Sequence, residues 1–240
     1  MKKKAAPYLN ADLYLREDHN AMVKDKDIQL GDILSSCMLG PAANILDVGC
    51  ATGALLAYLK QHFPGWTMTG IEPDARLVEE AKSANPDLFF DVGTATQLES
   101  IWTDTFDAIL STGVFGIFDP EDAQQVLSEM IRCTKKNGVI CILANFNDHP
   151  ADVIVKFAKH HNGLSNEWES GWNIYAEITM RSWLKDMAQS VEFLPFTLTV
   201  DQPPKDDPSR SFTFKDENGK RMITNGLRIL ANLQYCVIRV

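Results

Sequence analysis

Strand-like and helix-like segments alternate through about residue 145, and that rhythm predicts an α/β fold with parallel βαβ units and helices on both faces of the sheet. Three observations carry the expectation. Short apolar or β-rich runs fall at 45–48, 68–72, 88–91, 107–111 and 138–144. A stretch with helical spacing follows each of the first four. The first run leaves through "ILDVGCATGALL", in which small residues recur at every second position behind Asp47, as happens where backbone must come close to something.

Taken in chain order, the first 40 residues, with Tyr8, Tyr14 and "DIQLGDILSSCML", read as a helical cap leading into the first strand. "GALLAYLKQHF" repeats apolar residues at 55, 56, 59 and 63, and Pro64-Gly65 ends that helix. "DARLVEEAKSANP" behaves likewise and stops before Pro86. "DPEDAQQVLSEMIRCTKKNG" opens on Asp119-Pro120 and closes on Lys135, Lys136 and Gly138, the charge arrangement a helix dipole favours. Beyond residue 150 the rhythm changes. "ADVIVKFAKHH" reads as a helix, "NGLSNEWESGWNIYAE" as a loop and "TMRSWLKDMAQS" as a further helix, while "VEFLPFTLTV" and "LQYCVIRV" read as the last two strands. Between those strands Asn218-Gly219, flanked by "SFTF" and "KRMI", signals a hairpin turn. No repeat or linker divides the chain, so 1–240 is expected to be one domain: a cap (1–40), a core (41–150) and a substrate-side region (151–240).

The 240 residues carry a net charge of −9, which disfavours a nucleic-acid partner. No apolar region follows the basic tip "MKKKAAPYLNADLYL", and no window nears the roughly 18 apolar residues of a membrane span. The five cysteines are scattered and form no CxxC pair, which fits reduced thiols in the cytoplasm and no metal site.

The turn itself reads Asp47-x-Gly49-x-Ala51-x-Gly53. That spacing matches neither the dinucleotide turn GxGxxG nor the phosphate loop GxxxxGK[ST]. It resembles the first motif of the class I S-adenosylmethionine-dependent methyltransferases. The resemblance implies that Asp47 lies near the cationic methionine end of the cofactor, with the loop backbone against the ligand. The family's commoner residue at position 51 is glycine. "MTGIEPDARLVEEA" then places Glu72, followed by Pro73, at the end of a strand, where the family's acid holds the ribose hydroxyls. "FFDVGTATQLES" is similar to the segment that edges the adenine. Thr94 stands where an acid is usual, so contacts from Thr94 and Ala95 are expected mainly through backbone. "FDAILSTGVFGIFDP" resembles the fourth strand and its turn, with Ser111 at the ligand-binding end and no histidine in the turn. The resemblance covers roughly 40–145. It implies a Rossmann-like, seven-stranded, mostly parallel sheet with a reversed last strand, S-adenosylmethionine as cofactor and S-adenosylhomocysteine as product.

Transfer from a sulfonium is a direct displacement that asks mainly for alignment and exclusion of water. A sugar hydroxyl would also want a base, for which His149 in "NFNDHP" and His19 in "LREDHN" are the candidates. The region from "GWNIYAEITMRSWL" onward resembles methyltransferases of bacterial surface-polysaccharide and nucleotide-sugar pathways. On that resemblance Trp172, Asn173 and Tyr175 would stack on and bond a sugar ring. The expectation is therefore O-methylation of a sugar or glycan precursor. The alternatives are a metabolite carboxylate or phenol as acceptor, or a SAM-binding module without catalysis. Oligomeric state is left open.

Overall fold

The computed structural model describes residues 11–16, 24–159, 168–204 and 207–240; Tyr8 and His19 lie outside them. The cap contributes α1 (Ala11–Arg16) and α2 (Asp25–Ser36). The core follows as β1 (Asn44–Val48), α3 (Ala54–His62), β2 (Thr67–Glu72), α4 (Ala75–Ala84), β3 (Phe89–Val92), β4 (Phe106–Thr112), α5 (Pro120–Cys133) and β5 (Thr134–Asn147). The remainder comprises β6 (Lys156–Phe157), β7 (Glu169–Ser170), β8 (Tyr175–Ala176), α6 (Glu177–Leu184), β9 (Ser190–Pro195), the hairpin β10 (Ser211–Lys215) and β11 (Arg221–Asn225), and β12 (Leu233–Arg239).

The main sheet runs β3-β2-β1-β4-β5-β12-β9, and β8 adds to the end of β5. Strands β1 to β5 are mutually parallel, and β12 is antiparallel to both of its neighbours. The seven-stranded expectation with a reversed last strand is thus met. Strand order turns around between β1 and β4, and the crevice at such a switch point is where open α/β sheets bind ligands. Alternation along each strand separates two cores. Leu30, Leu34, Leu55, Leu59 and Val78 from α2 to α4 cover Ile45, Leu110, Cys141 and Tyr235 on one face. Val126, Met130 and Met180 from α5 and α6 cover Leu46, Ile109, Ile142 and Cys236 on the other.

Local chemistry sets the element ends. Asp74 caps α4 by accepting from the amide of Arg76 at 2.9 Å, and Asp119 caps α5 ahead of Pro120. The Asn218-Gly219 turn forms as expected, with Gly219 at φ +80°. Several sequence expectations change. After β3 there is no α-helix, only a 3₁₀ turn over Ser100–Trp102. Helix α5 ends at Cys133, and Lys135 leaves its axis to pair with Asp107 of β4 at 2.8 Å. Residues 151–159 are extended: Val153 bridges Ile174, and β6 pairs with β7. The β-branched run Val153-Ile154-Val155 has found a strand partner that helical spacing could not reveal. Helix α6 ends at Leu184, and β9 stops at Pro195, which has no amide to donate.

The chain beyond β9 then crosses the start of α2. Gln29 exchanges two bonds with the Thr197 backbone, at 2.6 and 3.0 Å. The buried Asp25 accepts from the Thr199 amide at 2.7 Å and from its hydroxyl at 2.5 Å. The Tyr235 hydroxyl donates to the Lys26 carbonyl at 2.6 Å, which fixes the first turn of α2 over β12. Hydrogen bonds to a charged group are worth about 1.5–3 kcal/mol each. Asp25→Ala should therefore lower unfolding stability by about 2–3 kcal/mol in urea denaturation, while Asp32→Ala serves as the surface control.

Candidate active site

Asp47 stands on β1 level with Gly70 of β2 and Leu110 of β4, on the face covered by α2 to α4. It is 2 % exposed, and its Oδ1 has no hydrogen-bond partner among the described residues. Burial raises its pKa to about 7, against the opposing field of Lys26; Asp27 and Glu72 add to the rise. A buried acid with an unused oxygen is a costly element for a fold to retain. It suits a ligand that brings positive charge.

The loop that follows alternates through the left-handed region, with φ +82° at Gly49, +47° at Ala51 and +80° at Gly53. The Gly49 and Cys50 amides both donate to the Ile71 carbonyl, at 2.8 and 3.0 Å. A Cβ on Gly49 would come within 2.4 Å of Val114 Cγ2, and one on Gly53 within 2.6 Å of Phe90 Cζ. The glycines have a reason within the fold itself. They are required by backbone conformation and by the protein's own side chains. Ala51 accepts the left-handed conformation with a strain of about 1–2 kcal/mol.

Glu72, at the end of β2, is fully buried. Its Oε2 accepts from the Ala51 amide at 3.2 Å and its Oε1 from the Asp74 amide at 3.1 Å. The chain just beyond it borders a cavity of about 400 Å³ whose walls include Pro73, Val92, Thr94 and Leu98. Its outer loop is fastened to α5: the Leu98 amide donates to Glu129 at 2.9 Å, and Arg132 donates to the Leu98 carbonyl at 3.2 Å. Ala95 packs toward the α5 core.

Other expected residues sit elsewhere. Ser111 is level with Ile142 and shares its face, opposite to Asp47; Thr112 holds the position on the Asp47 side. Asn173 and Tyr175 are fully buried. Asn173 accepts from the Val155 amide at 2.8 Å and donates to the Phe118 carbonyl at 2.7 Å, the same carbonyl that takes the Tyr175 hydroxyl at 2.7 Å. Trp172, at φ +63°, donates to the Ser209 carbonyl at 2.9 Å. Two of the three residues expected to bind a sugar therefore hold the turn after β4 against the core. His149 is exposed, and its amide donates to Asn147 Oδ1 at 3.1 Å in the turn after β5. Helix α1 is tied to α4 and to the segment after residue 207. Asp12 pairs with Arg76 at 2.8 Å, and the Arg210 guanidinium lies over the Tyr14 ring at 5.1 Å. Among the described residues no group of three or more His, Cys, Asp or Glu is arranged to hold a metal ion, and no helix is long and apolar enough to cross a membrane.

Strand order, reversed β12 and an acid at the end of each of β1 and β2 together define a class I S-adenosylmethionine-dependent methyltransferase fold. Residues 45–138, from β1 into β5, match the family described as "Methyltransferase domain". The chain is 33% identical over 99 residues to demethylmenaquinone methyltransferase of Thermotoga maritima, covering 41% of this chain and 42% of the relative. It is 28% identical over 132 residues to trans-aconitate 2-methyltransferase of Deinococcus radiodurans, covering 54% and 46%. The chain thus spans about half the length of the curated relatives it matches. An S-adenosylmethionine-dependent methyltransferase structure from Clostridium acetobutylicum superposes with a TM-score of 0.61 at 11% identity, over 96% of this chain and 97% of that one. The cofactor of this class is S-adenosylmethionine. A buried acid with an unpartnered oxygen, as Asp47 is, has the chemistry to meet its cationic end.

Stability should carry the mark of Asp47. Its folded pKa, about 7, lies above its ordinary value of 3.8, so between these pH values the native state holds a proton that the unfolded chain releases. The contribution is complete below pH 4 and is lost as pH rises through 7. Asp47→Asn should therefore exceed the parent in stability by up to about 4 kcal/mol at pH 8, with the gap closing toward pH 4. Chemical denaturation at the two pH values measures it.

Proposed function

We propose that this chain transfers a methyl group from S-adenosylmethionine to a small organic metabolite. The observation that carries the reading is Asp47, a buried carboxylate with an unpartnered oxygen at the switch point of the sheet. S-adenosylmethionine supplies a methyl group on a cationic sulfur, open to displacement by a nucleophile in line with the carbon–sulfur bond. Asp47 would bind the positive end of the cofactor, and Glu72, held at the end of β2 by two backbone amides, would face the ribose. Pro73 and Thr94 would edge the adenine from the cavity wall. The protein's part is to align the partners and keep water out.

For the acceptor, a small metabolite is favoured over a glycan. The glycan reading rested on Trp172, Asn173 and Tyr175, and the polar groups of the latter two are taken up internally. The two relatives are named for demethylmenaquinone and trans-aconitate, both small organic molecules.

Calorimetry with S-adenosylhomocysteine tests the cofactor assignment. The parent should bind in the micromolar range, and Glu72→Ala should lose at least about 1–3 kcal/mol of affinity. A parent chain that shows no binding heat rules the reading out. His149→Ala should leave turnover within about threefold, since loss of a positioned base costs on the order of 100-fold or more. A drop of that larger size would restore the exposed histidine as a base. A chain that binds cofactor yet turns over no metabolite pool would favour the non-catalytic alternative.

A further inference from the structure

Three buried side-chain atoms lack a hydrogen-bond partner among the described residues: Asp47 Oδ1, Asn145 Oδ1 and Asn225 Nδ2. Asn225 lies apart from the main sheet, in the turn after β11, where its Oδ1 takes the Leu227 and Ile229 amides at 3.0 and 3.2 Å. Asp47 and Asn145 are different. Both stand on strands of the main sheet, on the face covered by α2.

The register places Asn145. Leu143 of β5 is level with Thr112 of β4 and with Tyr235 of β12. Asn145 lies one pleat further, about 6–7 Å along the strand toward its carboxyl end, on the same side as Leu143. Next to this row the chain leaves β4 at Gly113, whose amide donates to the Leu143 carbonyl at 2.9 Å. A Cβ on Gly113 would meet nothing within 4 Å, so there is open space above the end of β4. Donor-binding groups occupy the ends of β1 and β2. Asn145 occupies the end of β5, across the switch point, at 5 % exposure.

We infer, on the basis of the methyl-transfer reading above, that Asn145 is a binding and specificity residue for the methyl acceptor, and that the acceptor presents a hydroxyl. The reason is chemical. A free amide oxygen needs a hydrogen-bond donor, which a phenol, enol or alcohol carries and an ionised carboxylate does not. The surroundings favour the same choice. Asp25, Asp27 and Glu72 are buried, and Lys26 is committed to Asp27 at 2.6 Å. An anionic acceptor would enter against that field.

A matched pair of probes separates the possibilities: 1-naphthol and 1-naphthoate share a ring and differ in the group at issue. Each is titrated by calorimetry into the full chain saturated with S-adenosylhomocysteine, for the parent and for Asn145→Leu. The parent should bind 1-naphthol at least tenfold more tightly than 1-naphthoate. Asn145→Leu should lose at least tenfold in 1-naphthol affinity, leave 1-naphthoate unchanged and bind S-adenosylhomocysteine within twofold of the parent. Its ligand-free thermal midpoint should equal or exceed the parent's, because an unsatisfied buried oxygen has been removed. A parent that prefers 1-naphthoate, or takes neither probe, overturns the inference. So does a variant that weakens both probes alike, or one that melts well below the parent and so exposes a structural role for the amide. Intact S-adenosylhomocysteine binding alongside any of these leaves the methyl-transfer reading standing; its absence in the parent removes both.

Discussion

One buried carboxylate organises the donor side of this protein. Glu72 has no exposed surface, yet it holds the amide that opens the left-handed loop at Ala51 and the amide that leads into α4 at Asp74. Removing a carboxylate from water is expensive unless donors replace the water, and here two backbone amides do so. The loop after β1, the end of β2 and the entry to α4 are thereby tied to a single side chain. Val114 and Phe90 fill the space beside Gly49 and Gly53, so the loop is packed from within its own fold. The site is shaped in advance, and a ligand would have little ordering left to do.

Parity along the strands then decides which residues share that site. On β4, Thr112 and Leu110 lie on the Asp47 side, while Ser111 and Ile109 belong to the α5 side. On β5 the same alternation sends Asn145 to the α2 face and Phe146 to the other, where it meets Phe115 and Phe193. A displacement of one residue in the register of β5 would exchange the polar group for an aromatic ring. The fourteen-residue length of β5, paired to β4 along one edge and β12 along the other, holds that register.

Much of this was legible in the sequence because it is encoded over short distances. The βα alternation, Asp74 and Asp119 as caps, the Asn218-Gly219 turn and the acids at 47 and 72 all declare themselves within a few residues. What escaped depends on partners far away in the chain. Residues 153–155 look neutral between helix and strand until Ile174 comes alongside. Asn173 and Tyr175 look like ligand-binding residues until the Phe118 carbonyl, more than fifty positions earlier, claims both. Asn145, inside "ILANFN", gave one usable signal: a polar residue within an otherwise apolar strand. Nothing local could say that its oxygen would be left over. The glycines declared a tight turn, but that Val114 and Phe90 close in beside them depends on partners distant in the chain.

The place of β12 has a bearing on how the chain comes to be folded during synthesis. It is the last of this sheet's strands in chain order, yet it is seated between β5 and β9 and bonded along its length to both. Until residues 233–239 emerge, β9 has no neighbour in the sheet and one edge of β5 stands open along its length. The α/β half can assemble early from neighbouring segments. The nascent protein must then keep an apolar strand edge unpaired for the time needed to translate the hairpin region, which is a window for mispairing with other chains. Loop closure from β5 to β12 spans some ninety residues, so final insertion of this strand should be the slow, chaperone-sensitive stage of biogenesis.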